Sequence, residues 1–169
     1  GQSVEVIQGV SLDFGRVGHI LGAGSARLSF EINGQKRTLL DSGDLGRYDR
    51  PILKDPEPAR SADWLLLEST YGNRTHAKDS EIELRNLIKE TVARRGCLLI
   101  PAFAIGRTQD LIYTIRKMED DGEIPAIPVH VDSPMGLEAT EIYCRHPEEH
   151  DFEMQQLSSQ ERCPITSRH

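Results

Sequence analysis

The sequence predicts an α/β protein in which a β-rich half precedes a half of alternating strands and helices. Before residue 64, Val-, Ile- and Leu-rich runs alternate with polar residues and are broken by Gly and Asn, which is typical of half-buried strands. After residue 74, helical patterns alternate with short apolar runs, which is typical of parallel βαβ units. The two halves meet in the segment 64–74, which begins Trp-Leu-Leu-Leu-Glu and predicts a fully buried strand ending in a polar turn.

The composition is that of a globular chain with a real core. The chain has 169 residues, of which 37% are hydrophobic, enough for one domain or two small ones. No apolar run is long enough for a membrane span, and the first residues lack the features of a signal peptide, so we expect no membrane contact and a cytoplasmic location. The net charge of −7 argues against a broad phosphate-binding surface, so a nucleic-acid substrate would need a local site.

The three cysteines are Cys97, Cys144 and Cys163, which are far apart and form no C-x-x-C pair. Their odd number and spacing argue against a disulfide framework and against a cysteine zinc site. Cys97 lies in an apolar run, so we expect it in the core.

The first half predicts a run of strands. They cover residues 4–14, with a turn near Gly9, and then 26–32 and 37–40. The last two are joined by Asn33-Gly34, which is a strong hairpin signal. Residues 48–62 hold three prolines and many charges, and indicate a surface connection.

The second half predicts helices that each follow a short strand. Ser80 and Glu83 have the spacing of a capping box, with Ser80 as the N-cap of a helix that ends near Gly96. Ser133 is expected to cap a helix with Pro134 at its first position. The predicted strands are 97–103 and 128–132, and a further helix begins at Gly106-Arg107. In such βαβ units a ligand lies at the C-terminal ends of the strands.

His19 and Asp44 each lie in a glycine-flanked turn at a strand end. Such a turn can hold a metal ligand rigidly, although the same residues are also ordinary turn formers. Glu68 follows three leucines, so its carboxylate is expected to be desolvated and to need a partner, either in a salt bridge or in a functional site. Arg107 at a helix start either holds an anion together with backbone N–H groups or covers a surface carboxylate.

Two further motifs are set aside. Residues 146–150 match the zinc-peptidase spacing H-x-x-E-H, but Pro147 ends the preceding helix, whereas the motif needs an unbroken one. Residues 22–27 begin like a dinucleotide fingerprint, but Arg27 replaces the third glycine and no βαβ unit surrounds it.

Taken together, five segments resemble the β-CASP branch of the metallo-β-lactamase superfamily, a group of RNA-processing nucleases. In chain order they are Gly18-His19-Ile20-Leu21-Gly22, Ser42-Gly43-Asp44-Leu45-Gly46-Arg47, Glu68-Ser69-Thr70-Tyr71-Gly72, residues 100–109 and Asp132-Ser133-Pro134-Met135. The resemblance implies a fold class of α/β type: a partial metallo-β-lactamase αββα domain at 1–75, followed by a parallel α/β β-CASP insert at 76–169.

The resemblance also implies a role for each site residue. His19 resembles a zinc ligand, and Asp44 resembles the aspartate that bridges two Zn²⁺ ions. Glu68 resembles the first β-CASP motif, an acidic residue that in the family contacts a histidine from a later motif near the scissile phosphate, and is counted with Asp44 as catalytic. Arg107 and Ser133 are expected to bind phosphates of a single-stranded RNA.

The family's H-x-H-x-D-H motif and its two later histidine motifs are absent from this sequence. We therefore expect a central segment of a longer nuclease, with most zinc ligands outside it and no activity of its own. Arg16-Val17 and Asp41 are smaller departures from the family pattern. The alternatives are a non-catalytic scaffold subunit and a DNA-directed repair nuclease. Endo or exo action is left open, as is the oligomeric state, for which a homodimer is one option.

Overall fold

The computed structural model describes residues 3–75, 80–160 and 163–166, with the side chains of 159 and 160 excepted. The chain divides into two compact units, Gly1–Gly72 and Asn73–His169, which are described separately. Within the described ranges, no helix is both long and apolar enough to cross a membrane.

The first unit is a five-stranded sheet whose strands follow one another in chain order. They are β1 Val4–Ile7, β2 Val10–Arg16, β3 Gly24–Ile32, β4 Gln35–Asp41 and β5 Trp64–Leu66. The first four pair antiparallel, whereas β5 pairs parallel to β4, with Leu39 opposite Trp64 and Asp41 opposite Leu66. Asn33 and Gly34 both have positive φ, of 51° and 75°, as a two-residue hairpin turn requires. The predicted strands and hairpin of this half are confirmed.

The prediction that β5 is fully buried is wrong. The four apolar side chains from Trp64 to Leu67 are 47%, 56%, 55% and 63% exposed. The strand is three residues long and lies at the edge of the sheet, and the Trp64 ring stacks on Phe30 with ring centroids 6.1 Å apart but is still about half exposed. An apolar run thus formed a strand as predicted, but its burial depends on what packs against it.

The connection between β4 and β5 is more than a surface loop, because it packs back on β2. Ile52 is 1% exposed. Glu57 N–H donates to the Arg16 carbonyl over 2.9 Å, and the Arg60 guanidinium lies 3.0 Å from the carboxylate of the buried Asp13. This connection therefore holds the end of β2, from which the His19 loop continues.

The second unit is built from helices. They are α1 Ser80–Ala93, α2 Arg107–Asp120, α3 Pro134–Arg145, a single 3-10 turn at Pro147–Glu149 and α4 Phe152–Gln160. A cluster of buried side chains joins α1, α2 and the segments that follow them, and it consists of Ile88, Ile115, Met118 and Ile124, with Leu84, Leu98, Ile127 and Val129 against it.

The strands predicted at 97–103 and 128–132 do not form, so the parallel sheet expected for this half is absent from the described residues. Leu98 and Val129 still pack against the core, but Leu99 and Phe103 are each 85% exposed. A strand needs a neighbour for its backbone hydrogen bonds, and these two segments form no ladder. Apolar composition alone was therefore not enough to predict strands at these two segments.

The ends of α1 differ from the prediction. Ser80 is the first helical residue, so it is not the N-cap, and the residues before it lie outside the described ranges. At the other end, Arg95 and not Gly96 has the left-handed conformation, with φ of 52°. Gly96 N–H donates to the Thr91 carbonyl and Arg95 N–H to the Val92 carbonyl, each over 2.9 Å, which is a Schellman motif.

Both expectations for the cysteines are also wrong. Cys144 and Cys163 form a disulfide, with Cα atoms 5.7 Å apart. Cys97 is a free and exposed thiol. Its apolar segment forms no buried strand, which explains the exposure, and the pairing of the other two follows from α4 folding back towards the end of α3.

Candidate functional site

Three loops meet at one end of the sheet in the first unit. The parallel pairing of β4 and β5 brings the carboxyl ends of these strands side by side. Ser42 N–H donates to the Leu66 carbonyl over 2.9 Å, and the Ser42 hydroxyl accepts from Glu68 N–H over 3.0 Å. Ser42 is buried, so the hydrogen bonds that join the loops carrying Asp44 and Glu68 are partly shielded from water.

The loop that carries His19 lies directly against the Asp44 loop. Gly46 N–H donates to the Val17 carbonyl over 2.8 Å. A Cβ atom on Gly46 would lie 2.2 Å from the carbonyl carbon and oxygen of Gly18 and 2.6 Å from the backbone nitrogen of His19. Only a glycine permits this approach of two backbones. The Gly-Asp-Leu-Gly sequence thus fixes the position of the His19 loop.

Glu68 is held by hydrogen bonds and not by an ion pair within the described residues. Its carboxylate accepts from the backbone N–H groups of Leu45 and Thr70, each over 3.1 Å. Hydrogen bonds from the side chain and backbone of Thr70, then that from Leu45, and weakly the charge of His19, hold the pKa of Glu68 below its usual value. The expectation of a desolvated carboxylate is wrong, because the side chain is only half-buried and stays ionised.

His19 and Asp44 both point to solvent from these joined loops. Neither side chain has a hydrogen bond among the residues that the structure describes. An imidazole and a carboxylate that make no hydrogen bond to a described residue are suitable donors for zinc. However, catalytic zinc has three protein ligands, and no group of three His, Cys, Asp or Glu side chains that could hold a metal occurs in the described part of the chain.

Arg107 and Ser133 lie in the second unit, at the starts of two helices. Arg107 is the first residue of α2 and is exposed. Ser133 is the N-cap of α3, as predicted, and its hydroxyl accepts from Gly136 N–H over 3.0 Å.

The backbone around Arg107 does not offer the anion site that the sequence suggested. Gly106 N–H donates to the Gln109 side chain over 2.7 Å, Arg107 N–H to the Ile105 carbonyl over 3.2 Å, and Thr108 N–H to the Phe103 carbonyl over 3.3 Å. These donors are occupied by the protein, so any anion contact there comes from the Arg107 guanidinium.

Gln109 is the residue of this region that the sequence reasoning missed. Its side chain is fully buried, and its amide nitrogen donates to the Thr140 hydroxyl over 2.9 Å and to the Ala104 carbonyl over 3.1 Å. The available signal was its position three residues after Gly106, which is the spacing of a Gln that caps a helix. A capping box has two hydrogen bonds, one accepted by the side chain of the N-cap residue and one accepted by the side chain three residues later. Gly106 has no side chain, so only the second bond, from Gly106 N–H to Gln109, is present.

The H-x-x-E-H segment does not lie on one unbroken helix, as predicted, because α3 ends at Arg145 and a 3-10 turn follows at Pro147–Glu149. His146 is exposed and lies 2.7 Å from the Glu148 carboxylate. His150 is 1% exposed, and its Nε2 lies 2.9 Å from the Tyr143 carbonyl, so that nitrogen carries the proton. Burial holds the pKa of His150 below its usual value, because the charged ring would be desolvated. The two histidines point to different environments.

The sequence is similar to a known family and to several known proteins. Residues 108–169 match the family model described as the Beta-Casp domain. The chain is 34% identical over 139 residues to Ribonuclease TTHA0252 of Thermus thermophilus, covering 80% of this chain and 31% of the relative. It is 35% identical over 150 residues to the Transcription termination factor FttA of Methanosarcina mazei, covering 85% and 23%.

A eukaryotic relative is similar over almost the same length. The chain is 34% identical over 130 residues to Cleavage and polyadenylation specificity factor 73 of Drosophila melanogaster, covering 75% of this chain and 18% of that protein. The chain thus spans about a fifth to a third of these relatives.

The five-stranded sheet, the helical unit and the match of residues 108–169 to the Beta-Casp model define the class: this is an α/β protein of the β-CASP type. The chain belongs to the β-CASP family, as its motifs indicated.

Proposed function

We propose that the intact protein is a zinc-dependent nuclease that hydrolyses phosphodiester bonds in single-stranded RNA. In this proposal residues 1–75 are part of a metallo-β-lactamase domain and residues 76–169 are the β-CASP insert. The observation that carries the proposal is the junction of three loops by Ser42 and Gly46, which assembles His19, Asp44 and Glu68 at one end of the sheet.

His19 and Asp44 are the residues of this chain that would hold the two metal ions. Their donor atoms are exposed and unoccupied by described residues, and imidazole and carboxylate both suit zinc. Bound zinc supplies a hydroxide from water near neutral pH and neutralises charge on the phosphate. Two ligand positions are fewer than one catalytic zinc requires, so the remaining ligands are assigned to parts of the protein outside this sequence.

Glu68 is assigned a role in orienting the acid that protonates the leaving oxygen. Three hydrogen bonds from Leu45 and Thr70 keep its carboxylate ionised and fixed in direction. An ionised carboxylate can hold a histidine in one orientation and stabilise its protonated form. Such a partner histidine would come from outside this sequence.

The acidic net charge requires a local means of holding the RNA. Arg107 at the start of α2 and Ser133 at the start of α3 are assigned to its phosphates. The guanidinium is the more important of the two, since the Ser133 hydroxyl already caps its helix and retains only its own proton for donation.

The test is cleavage of end-labelled single-stranded RNA, and of matching DNA, by the full-length protein with and without a chelator. Asp44→Ala should abolish RNA cleavage, as should the chelator. Asp41→Ala is the matched control, because the carboxylate of Asp41, the last residue of β4, accepts from Gly43 N–H over 2.8 Å, and its removal would only loosen the Asp44 loop. Equal loss in both variants would show that Asp44 acts through loop structure and not as a ligand.

A non-catalytic role in an RNA-processing complex is the second candidate. It is favoured by relatives such as those of Methanosarcina mazei and Lokiarchaeum, whose name is Transcription termination factor and not nuclease. A folded, zinc-loaded wild type that cuts neither RNA nor DNA would support it. Cleavage of DNA alone would instead support a repair nuclease.

A further inference from the structure

Gln109 makes an unusually complete set of hydrogen bonds for a buried amide. It is 0% exposed. The two hydrogens of its amide nitrogen are shared among three acceptors, the Ala104 carbonyl, the Gly136 carbonyl and the Thr140 hydroxyl, which lie 3.1, 3.3 and 2.9 Å from the nitrogen. Its oxygen accepts from Gly106 N–H over 2.7 Å. Burying an amide is costly unless its polar atoms are paired, and here both are.

The partners of Gln109 belong to two different helix starts. Gly106 is the N-cap of α2, whereas Gly136 and Thr140 lie in the first two turns of α3. Thr140 also donates to the Gly136 carbonyl over 2.8 Å, which closes the network on the α3 side. Gln109 therefore joins the first turn of α2 to the first turns of α3 by directional bonds, which apolar packing could not supply.

The two residues assigned to RNA phosphates flank this network. Arg107 is adjacent to Gly106 and two residues before Gln109, and Ser133 bonds Gly136 N–H directly. Because the backbone donors around Arg107 are occupied by Phe103, Ile105 and Gln109, the loop before α2 is held from both sides. Gln109 therefore holds the backbone of Gly106, the residue that immediately precedes Arg107.

We propose that Gln109 is a positioning residue for RNA, which fixes the starts of α2 and α3 so that Arg107 and Ser133 contact phosphates of the same strand. The proposal rests on the function proposed above. It predicts that the effects of changing Gln109 and Arg107 on RNA affinity are not additive. Removing the guanidinium abolishes its phosphate contact, and removing Gln109 abolishes the same contact by freeing the guanidinium's direction.

The test measures RNA affinity in the full-length protein carrying Asp44→Ala, so that the strand stays intact. Fluorescence anisotropy of a labelled single-stranded RNA gives Kd at several salt concentrations. Arg107→Ala should raise Kd about tenfold, as expected for a charge-assisted contact, and lower the slope of log Kd against log salt by about 0.7 for one lost phosphate contact. Gln109→Met, which keeps the length of the side chain, should do the same, and the double variant should lose no more than either single one.

The control is Gln155→Met, the same chemical change at a glutamine of the same unit that bonds the Pro147 and His150 carbonyls. It should leave both Kd and the salt slope unchanged. If Gln109→Met folds poorly, Thr140→Val removes one acceptor of the network and should raise Kd in the same direction by a smaller factor.

The outcomes separate the two proposals. The positioning role would be overturned if the factors by which the two single variants raise Kd multiplied in the double variant. It would also be overturned if Gln109→Met kept the parent protein's slope of log Kd against log salt. An Arg107→Ala protein that binds RNA as tightly as its parent would overturn it too, since there would then be no contact to position. A parent protein with no affinity for RNA would overturn the proposed function itself.

Discussion

Gly46→Ala is the substitution that the candidate site constrains most sharply. The added Cβ would lie 2.2 Å from the carbonyl group of Gly18, whereas real Cβ contacts essentially never fall below 3.0 Å, so one loop must move by about 0.8 Å. The opposing atoms are backbone, which cannot rotate away as a side chain can. Gly46 itself has no positive φ, so the effect is one of space and not of backbone conformation.

Two magnitudes follow from this displacement. Forcing extra volume into a packed contact costs about 1–3 kcal/mol of unfolding free energy. A misplacement of about 1 Å in a catalytic group costs on the order of 10²-fold in rate. We therefore expect the full-length Gly46→Ala protein to remain folded and to cleave RNA about a hundredfold more slowly than wild type.

The assay pairs urea unfolding with cleavage of end-labelled RNA at saturating zinc. Gly24→Ala is the matched control in the same sheet, because its Cβ would lie 3.3 Å from the nearest atom, the Gly15 carbonyl oxygen, and needs only a slight adjustment. The reasoning would be refuted if Gly46→Ala matched Gly24→Ala in both stability and cleavage rate.

Three further outcomes are expected. Arg95→Gly should raise the unfolding free energy of the second unit by about 0.5–1 kcal/mol in urea melts. A side chain in the left-handed region costs roughly 1–2 kcal/mol, and the greater backbone entropy that glycine loses on folding offsets part of this gain. An unchanged midpoint would contradict the prediction. Reducing the Cys144–Cys163 bond, or Cys144→Ser, should lower that stability by about 3 kcal/mol for a loop of this length, whereas Cys97→Ser should not. The pKa of His150 is lowered in the folded protein, so its contribution to the unfolding free energy is complete above the unfolded pKa of 6.5 and is lost as the pH falls below that value. In His150→Gln the unfolding midpoint should therefore depend less on pH in this range.

The first unit was predictable because its signals are local. Alternation of apolar and polar residues and the Asn33-Gly34 turn are read within a few residues, and they gave the strands and the hairpin. The degree of burial of β5 was not predictable in this way, because burial depends on neighbours that a run of leucines does not specify.

The second unit shows the same division between local and distant determinants. The starts of α2 and α3 were predicted from Gly106 and from Ser133-Pro134. The disulfide was missed because its cysteines are 19 residues apart and meet only after α4 folds back. Gln109 was missed because half of its partners lie on another helix, although its capping distance from Gly106 was visible.

The candidate site was accessible from the sequence only through the resemblance to a family. Spacing alone left His19 and Asp44 as ordinary turn residues. The sequence alone does not reveal that Gly46 packs against the backbone of Gly18, which brings the His19 and Asp44 motifs together in one candidate site. The family itself is confirmed by the Beta-Casp match, and the roles of the individual residues stay predictions.

The open edge at β5 bears on how self-association should be interpreted. An unpaired strand edge is a template onto which another chain can add a strand, and here the apolar residues Leu65 and Leu66 are more than half exposed beside it. A dimer of the 169-residue chain is therefore expected to be an edge-to-edge adduct that Leu65→Lys disperses. A homodimer of the intact enzyme would have to be sought by light scattering on the full-length protein, where this edge need not be the contact.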